Sequence, residues 1–257
     1  MITGILFYFT AIALGAMVGA ATGLTGTSGV IIVVPFLLYA GLSFPSCVGS
    51  SLLVDLITSS SVVYQYFTHN NVSWKVAVSM GAGAILGAWT GARASVSLPQ
   101  GLLVFAFSLF SFTMGFEFCR RAVKEMQIST TRLRVSRRRA YFIAFTASIG
   151  IGLLTGTLGA SGGMMFFALS MALFSSDVRL MIGTATLAMM LSASSGVLSY
   201  AMLGRVDLFD SVIIGAASLM SGYVFASYAQ KISQKTINAF LSALFFCVGI
   251  LVLFKAL

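Results

Sequence analysis

Gly159-Ala160-Ser161-Gly162 stands inside a strongly apolar stretch, next to Gly163. A serine set between glycines in such a place suits two kinds of chemistry. It can be the nucleophile of an intramembrane serine protease, which needs a base within hydrogen-bond reach. It can equally belong to a turn whose backbone amides hold an anion. The base is poorly supplied. The chain has one histidine, His69, in the short polar loop His69-Asn70-Asn71-Val72-Ser73, and every lysine sits near the end of an apolar segment. The same turn also occurs earlier as Gly26-Thr27-Ser28-Gly29, so it is half of a duplicated feature.

The duplication extends well beyond the turn. Thr22-Gly23-Leu24-Thr25-Gly26-Thr27-Ser28-Gly29 lies over Thr155-Gly156-Thr157-Leu158-Gly159-Ala160-Ser161-Gly162 at an offset of 133. After one inserted residue the offset is 134, where Gly49 meets Gly183, Leu53 meets Leu187, Tyr66 meets Tyr200 and Gly115 meets Gly249. The chain therefore reads as a first repeat over 4–118, a basic linker over 119–139 and a second repeat over 140–257. Internal repeats are common in transporter folds, whose substrate sites lie between the halves.

These turns are held by a chain of 257 residues that is 58% hydrophobic and 8% charged, with a mean hydropathy of +1.01. A soluble domain needs far more polar surface. Apolar runs long enough to cross a bilayer recur along the length, which predicts an all-α, polytopic membrane protein. Each half divides into five segments, roughly 4–22, 30–42, 48–67, 76–94 and 101–118, then 140–157, 163–174, 179–203, 208–228 and 236–256. The second of each set is too short to cross a ~30 Å core at 1.5 Å per residue. It directly follows the Gly/Thr/Ser turn, so it starts or stops within the membrane.

Charge orients the segments. The linker carries Arg120, Arg121, Lys124, Arg132, Arg134, Arg137, Arg138 and Arg139 and is read as cytoplasmic. The net charge of +9 belongs mostly to this linker and to anchoring on the lipid bilayer; nucleic acid is not an expected partner. If each half crosses five times the halves are inverted, and only Arg93, Arg205 and Lys255 fall outside. Four crossings would put Arg93, Arg179, Lys231 and Lys235 outside, so the inverted arrangement is favoured modestly. Cys47, Cys119 and Cys247 are scattered without a CxxC pair, and no metal site or cofactor is expected.

Two halves of this length, each with a Gly-rich turn followed by an apolar run, resemble the TauE/SafE sulfite exporter family of membrane permeases. That family's pattern is approximately Gly-x-Gly-Gly-Gly-x4-Pro-x-Leu, once per half. The first copy here runs from Gly26 through Pro35 to Leu37, the second from Gly159 to Leu169 without the proline. Ser28 and Ser161 stand where glycine is usual. The resemblance implies movement of sulfite or small organosulfur anions across a bacterial-type inner membrane.

Independently of that resemblance, the turns make sense as anion sites. The first amides of a helix have no intrahelical partner and its dipole is positive there. Gly26, Gly29, Gly159, Gly162 and Gly163 allow close approach of a ligand to the backbone. Thr25, Thr27, Ser28 and Ser161 add hydroxyls, and Ala160 completes the second turn. Asp55, an ionisable residue within a span, is a functional candidate by default. Placed seven residues into its helix, it is expected near Arg93, as an ion pair or as the carrier of a coupling proton. The second half has Met189 and Ser227 at those positions. The expectation is a secondary carrier for a small anionic substrate, coupled to protons or sodium or running as a uniporter. The competing class is a membrane scaffold or assembly subunit. Water-accessible Ser28 and Ser161 would favour the carrier, and dry, packed turns the scaffold.

Overall fold

The computed structural model describes residues 4–123, 136–159, 162–174, 177–228 and 234–256, with side chains for all of these except 4–7, 121, 234–238 and 256. Among the described residues there are ten helices and no strand: α1 (Gly4–Thr25), α2 (Val30–Ala40), α3 (Phe44–Thr68), α4 (Trp74–Ser97), α5 (Gln100–Val123), α6 (Arg137–Leu158), α7 (Gly162–Leu173), α8 (Val178–Met202), α9 (Leu208–Tyr228) and α10 (Gln234–Ala256). Of these, α1, α3, α5, α6, α8 and α9 are long and apolar enough to cross a membrane. Ala160 and Ser161 lie outside the described residues, as does most of the basic linker.

Local sequence explains several boundaries. Pro45 occupies the first turn of α3, where its missing N–H is no loss. Gly41 and Gly159 end α2 and α6 at φ of 103° and 66°, the left-handed cap conformation that glycine adopts without a Cβ penalty.

Small residues set the packing. A Cβ on Gly15, Gly19 or Gly23 of α1 would strike backbone of α9 around Ile214, Ser218 and Gly222 in turn. Gly83, Gly87 and Gly91 of α4 press in the same way on the backbone of α6 near Phe145, Ile149 and Leu153. Such small-residue seams let membrane helices approach closely without a hydrophobic driving force between them. Their registers give direction: α1 runs parallel to α9, and α4 parallel to α6. Gly215 against Ile57 and Gly222 against Thr58 and Val62 make α9 parallel to α3. Gly49 against Tyr200 and Gly183 against Tyr66 make α3 antiparallel to α8. Ser195 and Ser199 of α8 donate to the carbonyls of Ile85 and Trp89 of α4, in parallel register. Followed through these contacts, α1, α3 and α9 run one way, and α4, α6 and α8 the other.

The two longest helices, α3 and α8, are 72% buried over their spans, against 28% for α9. They form the centre, and the other long helices surround them. The eleven residues of α2 rise about 16 Å, half the hydrocarbon core. Its first turn lies beside the middle of α3, and three residues join its other end to the start of α3. Thus α2 begins at mid-depth and runs back to one face.

Candidate functional site

The last turn of α1 is closed by Thr25, whose hydroxyl donates to the Ala21 carbonyl at 2.7 Å and lies 2.8 Å from Thr27 Oγ1. Gly26 then takes φ of 68°, with its amide donating to the Thr22 carbonyl at 2.8 Å. That left-handed residue turns the chain back so that Gly29 lies against Val18 and α2 can start.

The start of α2 already meets a carboxyl group, and it is a side chain of this protein. The Gly29 amide donates to Asp55 Oδ1 at 2.7 Å, and the Ser28 hydroxyl donates to Asp55 Oδ2. Ser28 Oγ in turn accepts the Val30 amide at 3.2 Å. Asp55 and Ser28 are each 1% exposed and Thr27 is 2% exposed, so the turn is dry in this conformation. A carboxylate on the first amides of a helix satisfies donors that have no intrahelical partner and complements the positive end of the dipole.

The expected Asp55–Arg93 pair does not form. Arg93 is exposed, with its guanidinium 4.8 Å from the centre of the Trp89 ring. The reason is depth. Because α3 starts at Phe44, Asp55 lies eleven residues along it, about 17 Å from the face at which α4 ends. Arg93 is four residues from the end of α4, about 6 Å from that face.

The second turn meets the first. A Cβ on Gly163 would collide with the Gly26 carbonyl oxygen and with Met189 Sδ, and one on Gly159 with Val30 of α2. The structure therefore brings Gly26 and Gly29 together with Gly159 and Gly163 at the centre, and Gly162 is buried at the start of α7. Ser161 and Ala160 are the two expected site residues outside the described positions. Met189 occupies the place on α8 that Asp55 occupies on α3, so the two half-helix starts differ in charge.

Sequence reasoning missed two nearby hydroxyls. Thr22 and Ser192 are fully buried, with no hydrogen-bond partner among the described residues. The α3–α8 register puts Ser192 within a turn of the level of Asp55. Thr22 was legible as the repeat partner of Thr155; nothing in the local sequence marked Ser192. On the linker side, a polar cavity of about 250 Å³ is lined by Gln65, Tyr66, His69, Asn71, Ala226 and Ser227. His69 is exposed there and caps α3, its Nδ1 2.8 Å from the Gln65 carbonyl.

A family described as Sulfite exporter TauE/SafE matches residues 11–252. The chain is similar to the Probable membrane transporter protein YunE of Bacillus subtilis (strain 168), 23% identical over 266 residues that cover 96% of this chain and 97% of the relative. It is also similar to the Probable membrane transporter protein YdhB of the same organism, 23% identical over 241 residues, covering 93% and 97%. No solved structure matches it.

Proposed function

The chain belongs to the TauE/SafE sulfite exporter family, and from that premise we propose that it carries a small oxyanion, sulfite or an organosulfonate, bound where its two Gly/Thr/Ser turns meet. It is a multi-pass membrane transporter of the bacterial plasma-membrane type, not an enzyme. The observation that carries the site is the contact of Gly26 with Gly163. Two glycine turns at the starts of half-length helices converge at mid-depth, where irregular backbone is tolerated only in protein or beside a cavity. Thr25, Gly26, Thr27, Ser28 and Gly29 supply one side of the site; Gly159, Ala160, Ser161, Gly162 and Gly163 supply the other.

The opposite directions of α1 and α6 support a pair of inverted repeats, the arrangement in which one bundle rocks against another about a fixed central site. A dry, packed first turn is by itself what a scaffold would have. Membership in a transporter family decides against the scaffold, and the packed first turn then corresponds to a closed state of the carrier. Tyr66 packs on Gly183 beside the linker-side cavity, and the corresponding Tyr200 packs on Gly49, with its hydroxyl donating to the Gly156 carbonyl at 2.7 Å.

A thermal-shift panel of the purified protein against sulfite, thiosulfate, methanesulfonate and acetate tests the proposal, because a ligand of the folded state raises apparent stability. Stabilisation by the sulfur oxyanions that is lost in Ser28→Leu supports the site. Equal shifts in Ser28→Leu would remove the first turn from it.

A further inference from the structure

The carboxylate of Asp55 holds the donors that an incoming oxyanion would need at the first turn. Its Oδ1 takes the Gly29 amide and its Oδ2 the Ser28 hydroxyl. Among the described residues it has no ion-pair partner. Two anions side by side at this depth, without a cation, repel strongly in a medium that screens little. A protonated Asp55 behaves differently. It carries no charge, and its O–H can donate to a neighbouring oxyanion instead of competing for donors.

We propose that Asp55 is the proton site of this carrier: the substrate anion enters the turn only when Asp55 holds a proton, so that one proton and one anion cross together. The proton adds to one carboxylate oxygen from the aqueous side open to the site, and it leaves from the same oxygen on the other side after the anion departs. The first turn is then vacant and the carboxylate takes its donors back. The second half sets the ratio. Met189 stands beside Gly163 where a second carboxylate would be, so the second turn adds anion-binding amides without a second proton. This rests on the oxyanion reading of the turns.

The ionisable side chains on the helices packed around α3 are engaged or placed elsewhere. Arg93 of α4 stacks on Trp89, Tyr200 of α8 bonds Gly156, and Tyr39 of α2 bonds the Leu251 carbonyl. Arg179 lies in the first turn of α8 and is exposed, and Asp210 lies in the first turn of α9. Tyr8 of α1 meets Phe209 edge to face, Glu117 of α5 pairs with Arg120, and the arginines of α6 are at its linker end. Asp55 is left as the titrating group of the central site.

The test is calorimetric titration of the purified protein with methanesulfonate, which keeps one charge between about pH 5 and 8, in buffers of different ionisation heat. The expected result for the wild type is affinity that falls with rising pH, by up to about tenfold per unit, with close to one proton taken up per anion. Whatever anion binding remains in Asp55→Asn, or in Asp55→Met copying the second half, should show neither effect. Wild-type affinity that is flat with pH and takes up no proton would overturn the inference, as would proton uptake that persists in either variant; both results leave anion binding itself intact. The wild-type arm decides alone if neither variant folds. Failure of every form to bind methanesulfonate or sulfite at any pH would refute the oxyanion site, and this inference with it.

Discussion

Ser28 links three things at once: the Asp55 carboxylate, the Val30 amide and, through them, the start of α2. Removing its hydroxyl strands a buried carboxylate oxygen. Ser28→Ala should therefore lower stability by about 1.5–3 kcal/mol, the range for a hydrogen bond to a charged group, read as a denaturation midpoint in detergent. Arg93→Gln should change stability by less than about 0.5 kcal/mol, because the guanidinium is exposed and pairs with no carboxylate among the described residues. A double-variant cycle of Arg93→Gln with Asp55→Asn should give additive effects. A coupling above about 1 kcal/mol would restore the ion pair that the depth of the two residues argues against. Asp55 was legible in the sequence as an intramembrane charge. Its partners were not, because the apolar run reads from 48, past Pro45, and the four residues that α3 adds ahead of it, 44–47, move Asp55 from near one face to mid-depth.

Among the elements, the half-length helices were readable because each follows a glycine turn and is too short to cross. The α4–α6 and α1–α9 seams were not. Glycines at four-residue spacing advertise a close contact, but sequence alone does not say which helix fills it. The structure distinguishes two glycines on α6. A Cβ on Gly152 would meet the Ala84 backbone, whereas Gly150 has open space around its Cα and is exposed. Gly152→Leu should destabilise the protein by about 3 kcal/mol or more, or prevent its folding, through overpacking against backbone. Gly150→Leu should be neutral or stabilising by up to about 0.8 kcal/mol, from helix propensity. Equal losses in both variants would contradict the seam.

At the level of the whole molecule, α6 starts at the linker and α1 runs opposite to it, so the N-terminal helix begins at the other face. By their contacts at Gly115 with Phe246 and Gly249 with Phe112, α5 and α10 are antiparallel, which returns the C-terminal helix to that same face. The basic linker then predicts cytoplasmic placement of its own side and an external one for both ends. Reporter fusions after Thr130 and at Leu257 should read inside and outside respectively; a cytoplasmic C-terminus would overturn the inverted arrangement. The offset repeat and the distribution of arginines are the sequence signals for this layout. The asymmetry between a carboxylate at one half-helix and a thioether at the other was visible as Asp55 against Met189, but its meaning needed the contacts of each with its turn.

The claim that the two turns form one anion site is tested most directly by transport. Uptake of radiolabelled sulfite into proteoliposomes should be saturable with the wild type and competed by methanesulfonate. It should be absent with Gly163→Val, whose side chain would drive the second turn away from Gly26 and Met189, provided that variant elutes and inserts as the wild type does. No uptake above protein-free liposomes by the wild type, or undiminished uptake by Gly163→Val, would contradict the account.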